Sequence, residues 1–225
     1  MRFFVSLIYK DLLLEVRRKE VLFSSLFIAL ALCVMIAFGI QNAFVEGVVI
    51  YKLFPSLLWI VFILSVAVSL GRSNEYDSEL RALDGLLVSG VPVTLIYISK
   101  VVVHCLIMAL VQALTLLVLP TLLGIDLSKF AIPLMAISFL VIWGYSSLAT
   151  LLCGMTNGSS IKSLLLPLLL LPLLSPILFA ATELTATLLS FGTISIESPW
   201  LSLLFGLAIV YFVLGVNLYS SVIKE

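Results

Sequence analysis

The sequence predicts an all-α polytopic membrane protein with six transmembrane helices, and three observations carry that reading. The 225-residue chain is 63% hydrophobic and only 11% charged, whereas a soluble domain carries about a quarter charged residues. That leaves too little polar surface to coat a globule, so the bilayer must be the solvent. A helix needs roughly 20 mainly apolar residues to cross the hydrocarbon. Six stretches meet that need: Val21–Ile40, Leu53–Leu70, Val101–Leu123, Ala131–Cys153, Ile161–Thr182 and Trp200–Leu218. Nothing alternates with period two over long segments, which argues against a transmembrane β-barrel.

Taken in order, residues Arg2–Glu20 read as an amphipathic helix. Val5, Ile8, Leu12 and Val16 form its apolar face, opposite Lys10, Asp11, Glu15 and Arg18. Glu15 and Lys19 make a favourable i, i+4 pair, and Arg17-Arg-Lys19 would rest at anionic headgroups. This is an interfacial elbow lying along the membrane. Twenty residues of mixed charge precede the first apolar stretch, so it reads as a retained span rather than a cleaved signal.

Between spans two and three lies Arg72–Pro92, which holds Glu75, Asp77, Glu79 and Asp84, a third of the chain's twelve acids. Tyr76, Leu80, Leu83 and Leu87 fall on one helical stripe at spacings of 4, 3 and 4. Asn74 is placed as an N-cap, and Ser89-Gly-Val-Pro92 supplies the stop. The spacing predicts a short amphipathic helix over Glu75–Val88. Membrane-surface helices carry Lys and Arg on the polar face. This one is mainly acidic, so a soluble protein partner fits it better than the bilayer surface does.

Span five carries Pro167, Pro172 and Pro176 among leucine runs. Prolines remove backbone donors, and the segment reads either as a kinked helix or as a hinge lining a path. Glu183 closes span five, and the following loop to Pro199 contains Leu188-Leu-Ser-Phe191, read as a small helix in the outer interface. Trp200 and Tyr219 bracket span six as interfacial aromatics.

Orientation follows from Lys and Arg. Arg2, Lys10, Arg17, Arg18, Lys19, Arg72, Arg81, Lys100, Lys162 and Lys224 fall on one side of this topology, and only Lys52 and Lys129 on the other. An even number of spans with both termini cytoplasmic satisfies this split and puts the acidic segment in the cytoplasm.

The span interiors are poor in ionisable residues, which argues against an ion-coupled carrier or an acidic-ringed channel. His104, one turn beyond Lys100, stands out. It reads as a polar contact inside the bundle, a substrate contact or a headgroup contact. None of the seven lysines follows a glycine, so the phosphate-cradling Gly-x-x-x-x-Gly-Lys-Ser/Thr loop is missing and any ATPase must be another polypeptide. Gly144-Tyr-Ser-Ser147 partly matches the Gly-x-Ser-Gly motif of six-span intramembrane serine proteases, but the only histidine sits on span three. Ser146 is therefore read as a packing hydroxyl. Cys33, Cys105 and Cys153 stand alone without CxxC spacing. No catalytic residue, metal ligand or intrinsic cofactor is assigned, and a zero net charge gives no sign of nucleic-acid binding.

This layout resembles the exporter-type permease subunits of ATP-binding-cassette transporters. Their cytoplasmic segment has the form acid-x-Gly-Thr-Leu-acid-x-Leu, then a glycine or proline turn and a lysine opening span three. Here it reads Glu79-Leu-Arg-Ala-Leu83-Asp84-Gly-Leu-Leu87, then Gly90-Val-Pro92 and Lys100, with Arg81-Ala82 where Gly-Thr is usual. Within that group the chain is most similar to the CcmB family, the haem-exporter membrane subunit of bacterial cytochrome c maturation. Three features carry the likeness: Leu83-Asp-Gly-Leu-Leu87, Lys100-Val-Val-Val-His104 and the proline-leucine run Leu164–Ala181.

The resemblance implies a bacterial inner-membrane permease with a coupling helix that docks on a cytoplasmic CcmA-like ATPase, which binds the ATP. Leu80, Leu83 and Leu87 would anchor that helix, with Glu79, Arg81 and Asp84 setting its register. It also implies a haem-handling CcmC-like subunit, a single-span CcmD-like subunit and haem as cargo, with haem contact as a further role for His104. Two uses of the ATP cycle stay open, haem export and release of a haem-loaded periplasmic chaperone. The alternatives are a permease for drug, lipid or polysaccharide, and a non-transporting membrane scaffold.

Overall fold

The computed structural model describes residues 2–17, 19–43, 47–79, 92–155 and 162–224. Seven α-helices account for nearly all of them: α1 (Arg2–Arg17), α2 (Lys19–Asn42), α3 (Gly47–Glu79), α4 (Val93–Leu123), α5 (Ala131–Met155), α6 (Lys162–Phe191) and α7 (Pro199–Lys224). A 3-10 turn, Ser128–Phe130, leads into α5. Six of the helices, α2 to α7, are long and apolar enough to cross a membrane, the number the hydropathy pattern predicts.

The central element is α5, in which every residue from Gly144 to Leu152 is buried. A helix apolar all round belongs inside a bundle, and α5 packs against α4, α6 and α7. Gly144 allows the closest of these approaches. A Cβ there would lie 2.9 Å from Ile177 Cδ1 and 3.3 Å from the Ala208 backbone. A second layer forms where α3 packs against α2, α4 and α6, burying Phe54, Leu58, Trp59 and Phe62 completely or nearly so. The outward faces keep large apolar side chains exposed, among them Phe27, Met35, Phe38, Ile132 and Phe179. Such a surface is stable only against lipid or protein. This is a multi-pass membrane protein.

Helix α1 packs against α4 and α2. Among its described side chains Leu7 is buried, and Ile8 and Leu12 of the expected stripe are half-buried; the side chains of Val5 and Val16 lie outside those described. Lys10 Nζ pairs with Asp11 Oδ1 at 3.1 Å.

Tight connections close the face opposite the chain ends. Gly124 takes φ 70° at the end of α4 and donates its N–H to the Thr121 carbonyl at 3.3 Å, while the Ile125 N–H reaches the Pro120 carbonyl at 2.9 Å; Gly192, φ 79°, ends α6. A left-handed residue recovers last-turn carbonyls and is cheap only for glycine. In the α4–α5 loop the Ser128 amide donates to Asp126 Oδ1 at 2.9 Å and holds that carboxyl below the usual carboxylate range.

Several helices run further than the sequence suggests, α4 and α6 among them. α4 starts at Val93, eight residues before Val101, because Ile96 and Tyr97 are buried against Leu151 and Tyr219. α6 continues unbroken to Phe191, so Leu188–Phe191 is its last turn and not a separate interfacial helix. The cause is a single buried stripe, Ile177, Ala181, Leu184 and Leu188, at helical spacing. Glu183 points away from that stripe and is exposed, so its charge does not end the helix.

Candidate functional site

The segment singled out by its acids begins as a continuation of the second span. α3 runs as one helix from Gly47 to Glu79, so Asn74 lies inside it and does not cap a new helix. At 1.5 Å per residue its 33 residues extend about 50 Å, against about 30 Å of hydrocarbon. A rod of that length must project well beyond the bilayer at the end that carries Glu79. Leu80, Arg81, Leu83, Asp84 and Leu87 lie outside the described residues. The chain returns at Pro92, whose carbonyl accepts the Leu95 and Ile96 amides at 2.9 and 3.3 Å, opening α4 directly.

His104 belongs to a polar seam between α4 and α5. The Tyr97 hydroxyl donates to the Ser147 carbonyl at 3.0 Å. His104 Nδ1 lies 3.0 Å from Thr150 Oγ1, Cys105 Sγ 2.8 Å from Ser146 Oγ, and Gln112 Nε2 donates to Ser138 Oγ at 3.2 Å. On α4, Tyr97, His104 and Gln112 recur every seven or eight positions, two helical turns, and on α5, Ser138, Ser146 and Thr150 lie at multiples of four, so each set occupies one face. Thr150 commits its hydroxyl proton to the Ser146 carbonyl at 2.7 Å, which assigns the His104 ring proton to Nδ1 as donor.

The same geometry bears on the serine-protease motif. The Ser146 hydroxyl is shared between the Trp143 carbonyl at 3.1 Å and Cys105, while Ser147 is bonded to Trp143 at 2.7 Å. The histidine ring contact goes to Thr150. Small hydroxyls and a histidine here join two helices, as intramembrane polar residues commonly do.

In α6 the prolines leave a helix that is repaired by side chains. Pro167, Pro172 and Pro176 all lie within Lys162–Phe191. Pro176 cannot donate to the Pro172 carbonyl and crowds the turn before it. Ser175 Oγ donates to the Pro172 carbonyl at 2.8 Å. From α7, the Tyr211 hydroxyl donates to the next carbonyl, Leu173, at 2.6 Å. The acceptor freed by Pro176 thus finds a local donor, and a neighbouring helix adds a donor one residue on, the arrangement that makes proline tolerable in a membrane helix.

Residue-by-residue reading misses three participants. Thr185 accepts from Trp59 Nε1 at 3.1 Å and ties α6 to α3. Tyr211 donates to the Leu173 carbonyl of α6, and Gln112 of α4 is buried against Ser138 of α5. The available signal is positional: Tyr97, His104 and Gln112 on one span, and Ser138, Ser146 and Thr150 on the next, repeat at helical multiples within otherwise apolar runs.

The sequence model of the CcmB protein family matches residues 2–222. A search of curated proteins gives no match. With nearly its whole length matched, an all-helical bundle and six membrane-length helices, the chain belongs to the CcmB family, the membrane permeases of haem export in cytochrome c maturation.

Proposed function

We propose that the chain is the membrane subunit of a bacterial inner-membrane ATP-binding-cassette complex serving cytochrome c maturation, with haem as its associated cargo. ATP is bound and hydrolysed by a separate CcmA-like subunit. The CcmC-like and CcmD-like subunits complete the assembly, and both chain ends face the cytoplasm, where ten of the twelve Lys and Arg residues lie.

One observation carries this reading: α3 is a single rod from the second span to Glu79. A force applied beyond Glu79 is delivered to the membrane part of the same helix without an intervening joint. Leu80, Leu83 and Leu87 are the anchors for the ATPase, and Glu79, Arg81 and Asp84 orient it. Through the Trp59–Thr185 bond, displacement of α3 is felt by α6. There the prolines and their two substitute hydrogen bonds make residues 172–177 the easiest place to bend, so Pro172 and Pro176 act as a hinge.

The test is complementation. Deleting the gene should abolish c-type cytochromes while other exports continue, and restoring the wild-type chain should bring them back. The Leu83→Glu chain should insert normally and fail to restore them. Normal cytochrome levels in the deletion strain would overturn the proposal. Normal maturation in a complex whose ATPase subunit is inactive would favour a scaffold.

A further inference from the structure

The face formed by α4 and α5, with Phe212 of α7 at its edge, carries a groove of about 600 Å³. The α4 wall runs from Ile98 to Leu116 with a lining residue at every third or fourth position. Those eighteen steps amount to about 27 Å, close to the roughly 30 Å thickness of the hydrocarbon. The middle of that wall is small, with Ala109 and Ala113, while Phe139 and Trp143 of α5 stand opposite. The lining is almost entirely apolar except for Gln112 and Ser138.

Gln112 is only 2% exposed, and its Nε2 is taken by Ser138. Its Oε1 has no partner among the described residues. Turning the carboxamide over changes which end is orphaned but still leaves one. The residue lies twelve positions after Lys100 and eleven before the end of α4, at about mid-depth. A buried, unpaired amide at this depth is costly.

We infer that this groove seats one transmembrane helix of a different membrane subunit, carrying a hydroxyl or carboxamide side chain that pairs with Gln112 at mid-depth. Three features select that occupant. The groove has the length of a membrane span, which a compact ligand does not need. Its small central residues let a helix backbone approach closely, the usual basis of helix association in lipid. An acyl chain fills such a groove but offers nothing to the amide. A second copy of this chain fits poorly, because a two-fold interface pairs a patch with itself, and two concave faces enclose a void.

The test uses the intact complex in native membranes. A photoreactive benzophenone side chain replaces the exposed, groove-lining Met135, and the adducts are sequenced. The expected product joins Met135's position to an apolar span of another polypeptide, within one turn of a Ser, Thr, Asn or Gln. Gln112→Leu should weaken retention of that polypeptide in mild detergent by roughly threefold to tenfold, the scale of one interhelical hydrogen bond. Ala109→Phe, which fills the groove, should abolish the adduct. Both variants should accumulate in the membrane at the wild-type level; if Ala109→Phe does not, Gln112→Leu decides. Adducts with lipid alone, adducts only with a second copy, or retention indifferent to Gln112→Leu would each overturn the inference.

Discussion

Replacing Gly215 with alanine puts a methyl carbon where Tyr97 already sits. The added Cβ would lie 1.9 Å from the tyrosine oxygen, 2.3 Å from Cζ and 2.9 Å from Cε2. Ordinary contact between such atoms is about 3.5–4.0 Å, so the ring must retreat by well over an ångström. It has nowhere to go. Tyr97 is fully buried, wedged against Tyr219 with ring centroids 5.1 Å apart and bonded to the Ser147 carbonyl. Overpacking a filled core costs about 1–3 kcal/mol, and losing the hydrogen bond costs about 0.5–1.5 kcal/mol. The better helix propensity of alanine returns about 1 kcal/mol. Gly215→Ala should therefore destabilise the bundle by about 0.5–3.5 kcal/mol in reversible unfolding from detergent micelles. Gly206, on the same helix with nothing within 4 Å of its notional Cβ, is the control. Gly206→Ala should be neutral or stabilising by up to about 1 kcal/mol. Combining Gly215→Ala with Tyr97→Ala should cost less than the sum of the two, since one change makes room for the other. If Gly215→Ala behaves like Gly206→Ala, the packing of α4 on α7 is not as described.

Thr185→Val leaves the Trp59 indole N–H without its acceptor and should cost about 0.6–1.7 kcal/mol, the range for interhelical hydrogen bonds in a bilayer, read by the same unfolding assay. Ser175→Ala combined with Tyr211→Phe strips both substitute donors from α6. Amide exchange should accelerate at residues 173–175 and 177 while the ends of the helix keep their protection, because the Pro172 carbonyl then lacks its substitute donor and the turn opens more easily.

Apolar runs of span length are unmistakable when 63% of the residues are hydrophobic, so the all-helical bundle with six membrane-length helices is legible in composition alone. Helix ends are less so, and each discrepancy has a physical cause. Glu183 ends a hydropathy window but not a helix, because it lies off the buried face of Ile177, Ala181, Leu184 and Leu188. Asn74 has the chemistry of an N-cap, yet the preceding span supplies a helix already under way, and propagation is cheaper than a fresh start. The polar seam is hidden for another reason. A serine or threonine barely lowers the hydropathy of a span, and whether it meets a histidine depends on the register of two helices 46 residues apart. Periodicity identifies faces, whereas only packing reveals which faces meet. The same holds for the prolines of α6, whose repair comes partly from Tyr211, 38 residues along the chain.

In the proposed complex this chain is the membrane half, gripped by its ATPase through the segment beyond Glu79. The most direct measurement is quantitative recovery of proteins with the tagged chain from native membranes. A soluble ATPase should be recovered in fixed proportion with the wild-type chain and lost with Leu83→Glu, at equal amounts of inserted protein. An ATPase missing from the wild-type preparation, or recovered equally with both chains, would contradict it.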